Sequence, residues 1–274
     1  MSGLSVTNTP LVKFKHGDLS RHSELLAVEE PLEMVIQYGT SSQRKQKTIA
    51  ITMRTPGQDL ELMTGFLYAE GIIKQLADLV SVRHCVQAEN PQNTVKAVLA
   101  INLEVPVKQL ERHFYISSSC GVCGKASLES LAAVCPWDHQ GEAPKLNDAI
   151  LRGLPEALRS LQSVYQHTGG VHAAALFDAA GQPIAWREDV GRHNALDKLI
   201  GLSWHQQLLP WSDNLLVLSG RISYELMQKA VMAGARTVIA MGAPSSLAVE
   251  LAREFQITLV GFLKENSYNI YHQN

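Results

Sequence analysis

The chain has 274 residues, 46% of them apolar, and a formal net charge of −2 from 24 Lys and Arg against 26 Asp and Glu. It is long enough for one large or two modest domains, has no overall polycationic footprint for nucleic acid, and has no apolar run near the roughly eighteen residues that a membrane helix needs. Its cysteines are Cys85, Cys120, Cys123 and Cys135, and its N-terminus lacks the basic start and apolar core of a secretory signal. Together these predict a reducing, cytoplasmic setting.

Residues 1–25 are polar and irregular in pattern, and a flexible N-terminal segment is expected there. Residues 33–38 and 48–53 alternate like half-buried strands, with a turn at Pro56-Gly57. Residues 59–69 read as an amphipathic helix with Leu60, Met63, Phe66 and Leu67 on one face, and residues 80–86 and 95–103 as two more strands. These elements make a small α/β domain over 26–107, with 105–108 as connector to a larger domain over 108–274. In that second part, 146–165 is helical in pattern, and Gly153 and Pro155 predict a break within it. Residues 171–177 and 184–187 flank a turn and read as a hairpin, and 192–201 as a helix. From there strands 215–218, 237–241 and 258–260 alternate with helices 223–233 and 245–255. Strands joined by helices of that length run parallel, because only the crossover returns the chain to the same edge. The fold class is therefore α/β, with parallel βαβ units in the larger domain.

Cys120 and Cys123 form a CxxC pair within Ser117-Ser118-Ser119-Cys120-Gly121-Val122-Cys123-Gly124-Lys125. A thiolate is both nucleophile and metal ligand, and a neighbouring cation such as Lys125 lowers its pKa. Zinc is disfavoured, because a closed site needs four ligands and no second close cysteine pair exists. A zinc deaminase needs His-x-Glu followed by Pro-Cys-x-x-Cys. Here His172 is followed by Ala173-Ala174 and comes after the cysteines. A CxxC thiol-disulfide oxidoreductase is the alternative for this pair.

Two strand-end loops, Ser219-Gly220-Arg221 and Gly242-Ala243-Pro244-Ser245-Ser246, each lead into a helix. Exposed N–H groups and the helix dipole favour an anion there, with Arg221, Gly242 and Ser245 as candidates. Helix capping is the competing reading of the same residues. Thr168-Gly169-Gly170-Val171-His172 and Arg187-Glu188-Asp189-Val190-Gly191-Arg192-His193-Asn194 concentrate polar groups in loops and are read as pocket linings, with a cap at Asp189, surface salt bridges for its neighbours and a satisfied buried His172 as the competing reading.

Those motifs, together with Gly65-Phe66-Leu67-Tyr68-Ala69-Glu70-Gly71-Ile72 and Gly261-Phe262-Leu263-Lys264, run in order along nearly the whole chain. The sequence closely resembles the FdhD family of formate dehydrogenase accessory sulfurtransferases. The resemblance implies a persulfide sulfur carrier, fed by a cysteine desulfurase, that supplies the molybdenum cofactor (Mo-bis-molybdopterin guanine dinucleotide) of formate dehydrogenase. It implies that Cys120 carries the persulfide with Cys123 assisting, and that Phe262, Leu263, Lys264, Glu265, Asn266 and Ser267 contact the cofactor, a site where GDP also binds. It further implies a homodimer, and a larger domain like cytidine deaminase without the zinc-binding set. Family members often have arginine where this chain has Lys264, which keeps the charge and loses the bidentate fork. A non-catalytic molybdenum-cofactor chaperone is the second reading.

Overall fold

A computed structural model describes residues 5–86, 88–105, 131, 135–138 and 141–274. Strands β1 (Val6–Lys15) and β2 (Asp18–Ala27) pair antiparallel over their full length, from Val6↔Ala27 to Lys15↔Asp18. The N-terminal segment expected to be irregular is therefore a hairpin over its described residues. Its reversal rests on His16 and Gly17, whose φ values of 53° and 99° are both in the left-handed region that a two-residue turn needs to match the twist of its strands. Periodicity did not reveal it because most of the hairpin is exposed on both faces, so no apolar alternation is required.

A four-stranded sheet follows in the order β4-β3-β6-β5, built from β3 (Glu30–Gly39), β4 (Arg44–Arg54), β5 (Leu79–His84) and β6 (Thr94–Leu99). Helix α1 (Asp59–Ala69) occupies its expected span with a different buried face. Leu62, Met63, Leu67 and Tyr68 are inside, whereas Leu60 is exposed. The helix is wedged between this sheet and α4 (Arg192–His205), so it is covered on more than one side. The crossing is close: a Cβ on Gly65 would sit 1.8 Å from the carbonyl oxygen of Asp197, and one on Gly201 would sit 1.9 Å from that of Glu61. Only glycine permits that approach.

The second sheet has six strands in the order β12-β11-β10-β9-β7-β8. Strands β9 (Leu215–Leu218), β10 (Thr237–Ala240) and β11 (Thr258–Lys264) run parallel, as their helical crossovers require. The hairpin β7 (His172–Phe177) and β8 (Pro183–Asp189) joins β9 antiparallel, and β12 (Ser267–His272) closes the other edge antiparallel to β11. Strand β12 was not anticipated, because it is a largely exposed edge rich in Ser, Asn and Tyr.

The pleat separates the two faces of this sheet. Ala174, Leu176, Leu216, Leu218 and Val238 point to α4, α5 (Tyr224–Met232) and α6 (Ser246–Glu254), while Ala175, Phe177, Val217 and Ile239 point to α2 (Asp148–Leu161). Burial on both sides is why these strands read as unbroken apolar runs. The core on the α4 side continues through α1 into Leu32, Met34, Ile36 and Val95 of the four-stranded sheet, so one buried cluster runs through both sheets.

The break expected near Gly153 and Pro155 lies elsewhere. Helix α2 runs through Pro155, and the interruption is at Gln162, before α3 (Ser163–Thr168). Proline removes one helical hydrogen bond, but Leu151, Leu154 and Leu158 hold the helix face against the sheet on both sides of it.

Candidate functional site

Beyond the strands, the loops at the carboxyl ends of β9, β10 and β11 are laced together by their backbones. Met241 N–H donates to the Leu218 carbonyl at 3.0 Å, Gly242 N–H to that of Gly220 at 3.0 Å, and Phe262 N–H to that of Gly242 at 3.0 Å. Ile222 N–H donates to Ala243 at 3.1 Å, and Ser245 N–H to Ile222 at 2.9 Å. Gly242 is needed for this closeness, since a Cβ there would meet the backbone of Arg221 at 2.8 Å. The N–H groups expected to cradle an anion at Gly242 and Ser245 are thus already engaged. The Ser245 hydroxyl caps α6 by accepting from Ala248 N–H at 3.2 Å.

A cavity of about 830 Å³ opens beside these strand ends. It is lined by Ser219 and Met241, by Gly169, Gly170 and His172, and by residues of α2, α3 and the Gln162 junction between them. The turn between β11 and β12 completes it with Leu263, Lys264, Glu265, Asn266 and Ser267, five of the six residues of the expected C-terminal cofactor segment. Phe262 is 42% exposed and outside the lining, as are Arg221, Gly242 and Ser245. Its φ of 53° is uncommon for a non-glycine residue and coincides with a register shift between β11 and β12. Two exposed cations line the cavity, Arg159 from α2 and Lys264 from β11.

The α2–α3 wall was missed in the sequence. Gln162 lines the cavity, is only 5% exposed, and its Nε2 has no hydrogen-bond partner among the described residues. A buried donor left unpaired costs about 1–3 kcal/mol. No local signal marks it, because its burial depends on where α2 happens to stop. His172 is half-buried, and desolvation, then the Arg192 charge, hold its pKa below the ordinary histidine value.

The Arg187–Asn194 motif behaves differently from expectation: none of its residues lines this cavity. It joins the two sheets. Asp189 is fully buried, lies 2.7 Å from the equally buried Lys198, and accepts from Thr55 N–H at 3.1 Å, Gly191 N–H at 2.8 Å and Asn194 Nδ2 at 3.1 Å. Lys198 also donates to the Thr55 carbonyl at 2.9 Å, and Asn194 to that of Met53 at 2.7 Å. Arg187 grips Glu61 of α1 with two bonds of 2.5 and 2.8 Å. Glu188 accepts from Val164 and Tyr165 N–H, capping α3. His193 lies 3.3 Å from the Ser223 hydroxyl, and burial, then Lys229 and Arg192, push its pKa down to about 4.

Cys120 and Cys123 lie outside the described residues. Cys135 is half-buried, its Sγ 3.6 Å from the Val231 carbonyl, and burial pushes its thiol pKa up. It packs against the core. Among the described residues no cluster of three or more metal-ligating side chains occurs, and no helix is long and apolar enough to cross a membrane.

Fold and site define a mixed α/β protein with a ligand-sized cavity at the strand-end crevice where open α/β sheets bind ligands. The FdhD/NarQ family model matches residues 27–274, and the chain belongs to that family. The sulfur carrier protein FdhD of Mycolicibacterium paratuberculosis is 48% identical over 259 residues, covering 93% of this chain and 92% of its own. That of Sulfolobus acidocaldarius is 39% identical over 268 residues, covering 98% and 97%. A crystal structure described as a formate dehydrogenase accessory protein from Desulfotalea psychrophila superposes with a TM-score of 0.70 at 19% identity, over 98% of this chain and 97% of that one, and shares the fold.

Proposed function

We propose that this chain is a sulfurtransferase that carries persulfide sulfur from a cysteine desulfurase to Mo-bis-molybdopterin guanine dinucleotide, bound as substrate, and so serves formate dehydrogenase. The observation that most supports this is the cavity that gathers residues 263–267 with Gly169, Gly170 and His172. Its volume of about 830 Å³ falls within the roughly 300–1,000 Å³ of small-molecule sites. The exposed charges of Lys264 and Arg159 suit phosphate oxygens, and the buried floor near Leu158, Val171 and Leu263 suits a base. Phe262, Gly242 and Ser245 belong to the backbone lacing of the strand-end loops, and Arg221 is exposed beside it. The reading includes a homodimer in the cytoplasm and a deaminase-like larger domain, for which the parallel β9–β11 units are the support.

In the loading step the Cys120 thiolate attacks the terminal sulfur of the desulfurase persulfide. The old S–S bond breaks, the desulfurase cysteine leaves as thiolate, and Cys120 keeps the sulfur as a persulfide. Attack of the Cys123 thiolate on the Cys120 sulfur then expels the outer sulfur as sulfide for the cofactor and leaves a Cys120–Cys123 disulfide, which a thiol reductant reopens.

Intact mass after incubation with a desulfurase and cysteine tests this. The protein gains the mass of sulfur in a form that reductant removes, Cys120→Ala gains none and fails to restore formate dehydrogenase, and Cys85→Ala and Cys135→Ala load normally. Normal loading of Cys120→Ala would sink the mechanism. No bound sulfur at all would leave the cofactor chaperone, and an exchangeable disulfide without bound sulfur would indicate a thiol-disulfide oxidoreductase.

A further inference from the structure

Helix α3 is six residues long, too short to hold itself in water, and its N-cap residue Gln162 makes no side-chain cap. The cap comes from Glu188 of β8. Its Oε2 accepts from Val164 N–H at 3.0 Å and its Oε1 from Tyr165 N–H at 2.9 Å. The Tyr165 N–H shares its peptide unit with the Val164 carbonyl, which accepts from the Thr168 hydroxyl at 2.8 Å, and that hydroxyl accepts from Gly170 N–H at 3.1 Å. Donors and acceptors point the same way along this chain, so each bond polarises the next toward the carboxylate. Gly169 N–H is tied beside it, donating to the Tyr165 carbonyl at 2.7 Å. One side chain outside the cavity lining therefore anchors two glycines that belong to it.

We propose that Glu188 is a positioning residue for the cavity, setting through Tyr165, Val164 and Thr168 where Gly169 and Gly170 stand in its wall. The proposal rests on the reading of this cavity as the ligand site. The connection is a closed loop: the Glu188 backbone pairs in register with Ala173 of β7, three residues beyond Gly170, while its side chain holds the helix that leads into Gly169. Both ends of the Gly169-Gly170 stretch are tied to one residue. At Gly170 the fold does not ask for glycine, since its φ is outside the left-handed region and a Cβ would meet that of Ala27 at an ordinary 3.6 Å. The missing side chain instead leaves bare backbone at the cavity wall, where a ligand can approach it closely. A carboxylate suits the anchor because it offers two acceptor oxygens to two N–H groups, whereas glutamine offers one and turns a donor toward the other.

The full chain carrying Glu188→Ala, Glu188→Gln or Thr168→Val is compared with wild type by hydrogen exchange at individual amides and by calorimetric titration of GDP. In Glu188→Ala the Gly169 and Gly170 amides are expected to exchange about tenfold faster while those of β9 are unmoved, and GDP to bind about tenfold more weakly. Glu188→Gln falls between this variant and wild type. Thr168→Val, which leaves the cap intact and carries the test if Glu188→Ala does not fold, speeds exchange at Gly170 alone and weakens GDP less. Added to Glu188→Ala it weakens GDP no further, because both act through one chain of bonds. Additive losses in the double variant, or wild-type exchange at both glycines in Glu188→Ala, would overturn the chain. Faster glycine exchange with unchanged GDP affinity would leave Glu188 a helix cap and overturn its positioning role. A wild-type protein that binds no GDP would overturn the reading of the cavity and this role with it, whatever the exchange rates show.

Discussion

The Arg187–Asn194 segment and the 263–267 turn carry comparable densities of polar side chains, yet they are wired in opposite ways. In the first, Asp189, Asn194, Arg187 and Glu188 are each matched to partners on β4, α1, α3 or α4, while the buried Arg192 Nε has no hydrogen-bond partner among the described residues. In the second, Lys264 is exposed and lines a cavity that Arg159 and Gln162 also line, and Gln162 Nε2 is buried without a partner among the described residues. Polar density by itself therefore does not identify a site. A largely matched cluster fixes the geometry of the molecule, whereas exposed charges lining a cavity are available to a ligand, and here the first holds the sheet on which the second is built.

Breaking the joint is expected to have the largest effect. Lys198→Ala removes the cation from the fully buried Asp189, and the loss of one member of such a pair costs about 3–5 kcal/mol. Denaturant unfolding should show that loss, while the protein that stays folded keeps its GDP affinity. A variant as stable as wild type would mean that the joint is not holding the two sheets together.

On the cavity side the order reverses. Lys264→Ala is expected to leave unfolding unchanged and to weaken GDP binding by about tenfold to a hundredfold, the loss of a charge-assisted hydrogen bond worth about 1.5–3 kcal/mol. Persulfide loading by a desulfurase should be untouched in the same preparation. A folded Lys264→Ala protein that cannot be loaded would show that loading and cofactor binding share one site.

The smallest effect is expected at His193, within the Arg187–Asn194 segment. Its folded pKa of about 4 is below the ordinary 6.5, so the unfolded chain takes up a proton at this position first as pH falls. Its contribution to stability is then fully present above pH 6.5 and is lost as pH falls toward 4. Stability measured across that window should have a shallower pH slope in His193→Gln than in wild type. An identical slope would assign the acid sensitivity to other groups.

Much of the architecture was legible because local rules agree with the tertiary result. The α1 span, the β7–β8 hairpin and the parallel β9–β11 units follow from periodicity, turn residues and crossover length. The β1–β2 hairpin and β12 were not legible, because exposed two-faced strands have no alternation to display. Residues 263–267, which the family resemblance singled out, line the cavity, whereas Arg221, Gly242 and Ser245 of the strand-end loops do not. The sequence could not decide between lining and capping for Ser245, nor between lining and joint for Asp189.

Amphipathic period, glycine placement and the order of motifs are properties of neighbouring residues, so the chain alone determined its element types, its βαβ grammar and its family resemblance. Which polar groups end up paired depends on atoms more than a hundred residues apart, such as Thr55 with Asp189 and Glu61 with Arg187. Only the packed structure decides that, because a buried hydrogen bond exists or fails over tenths of an ångström, a precision that residue spacing does not encode.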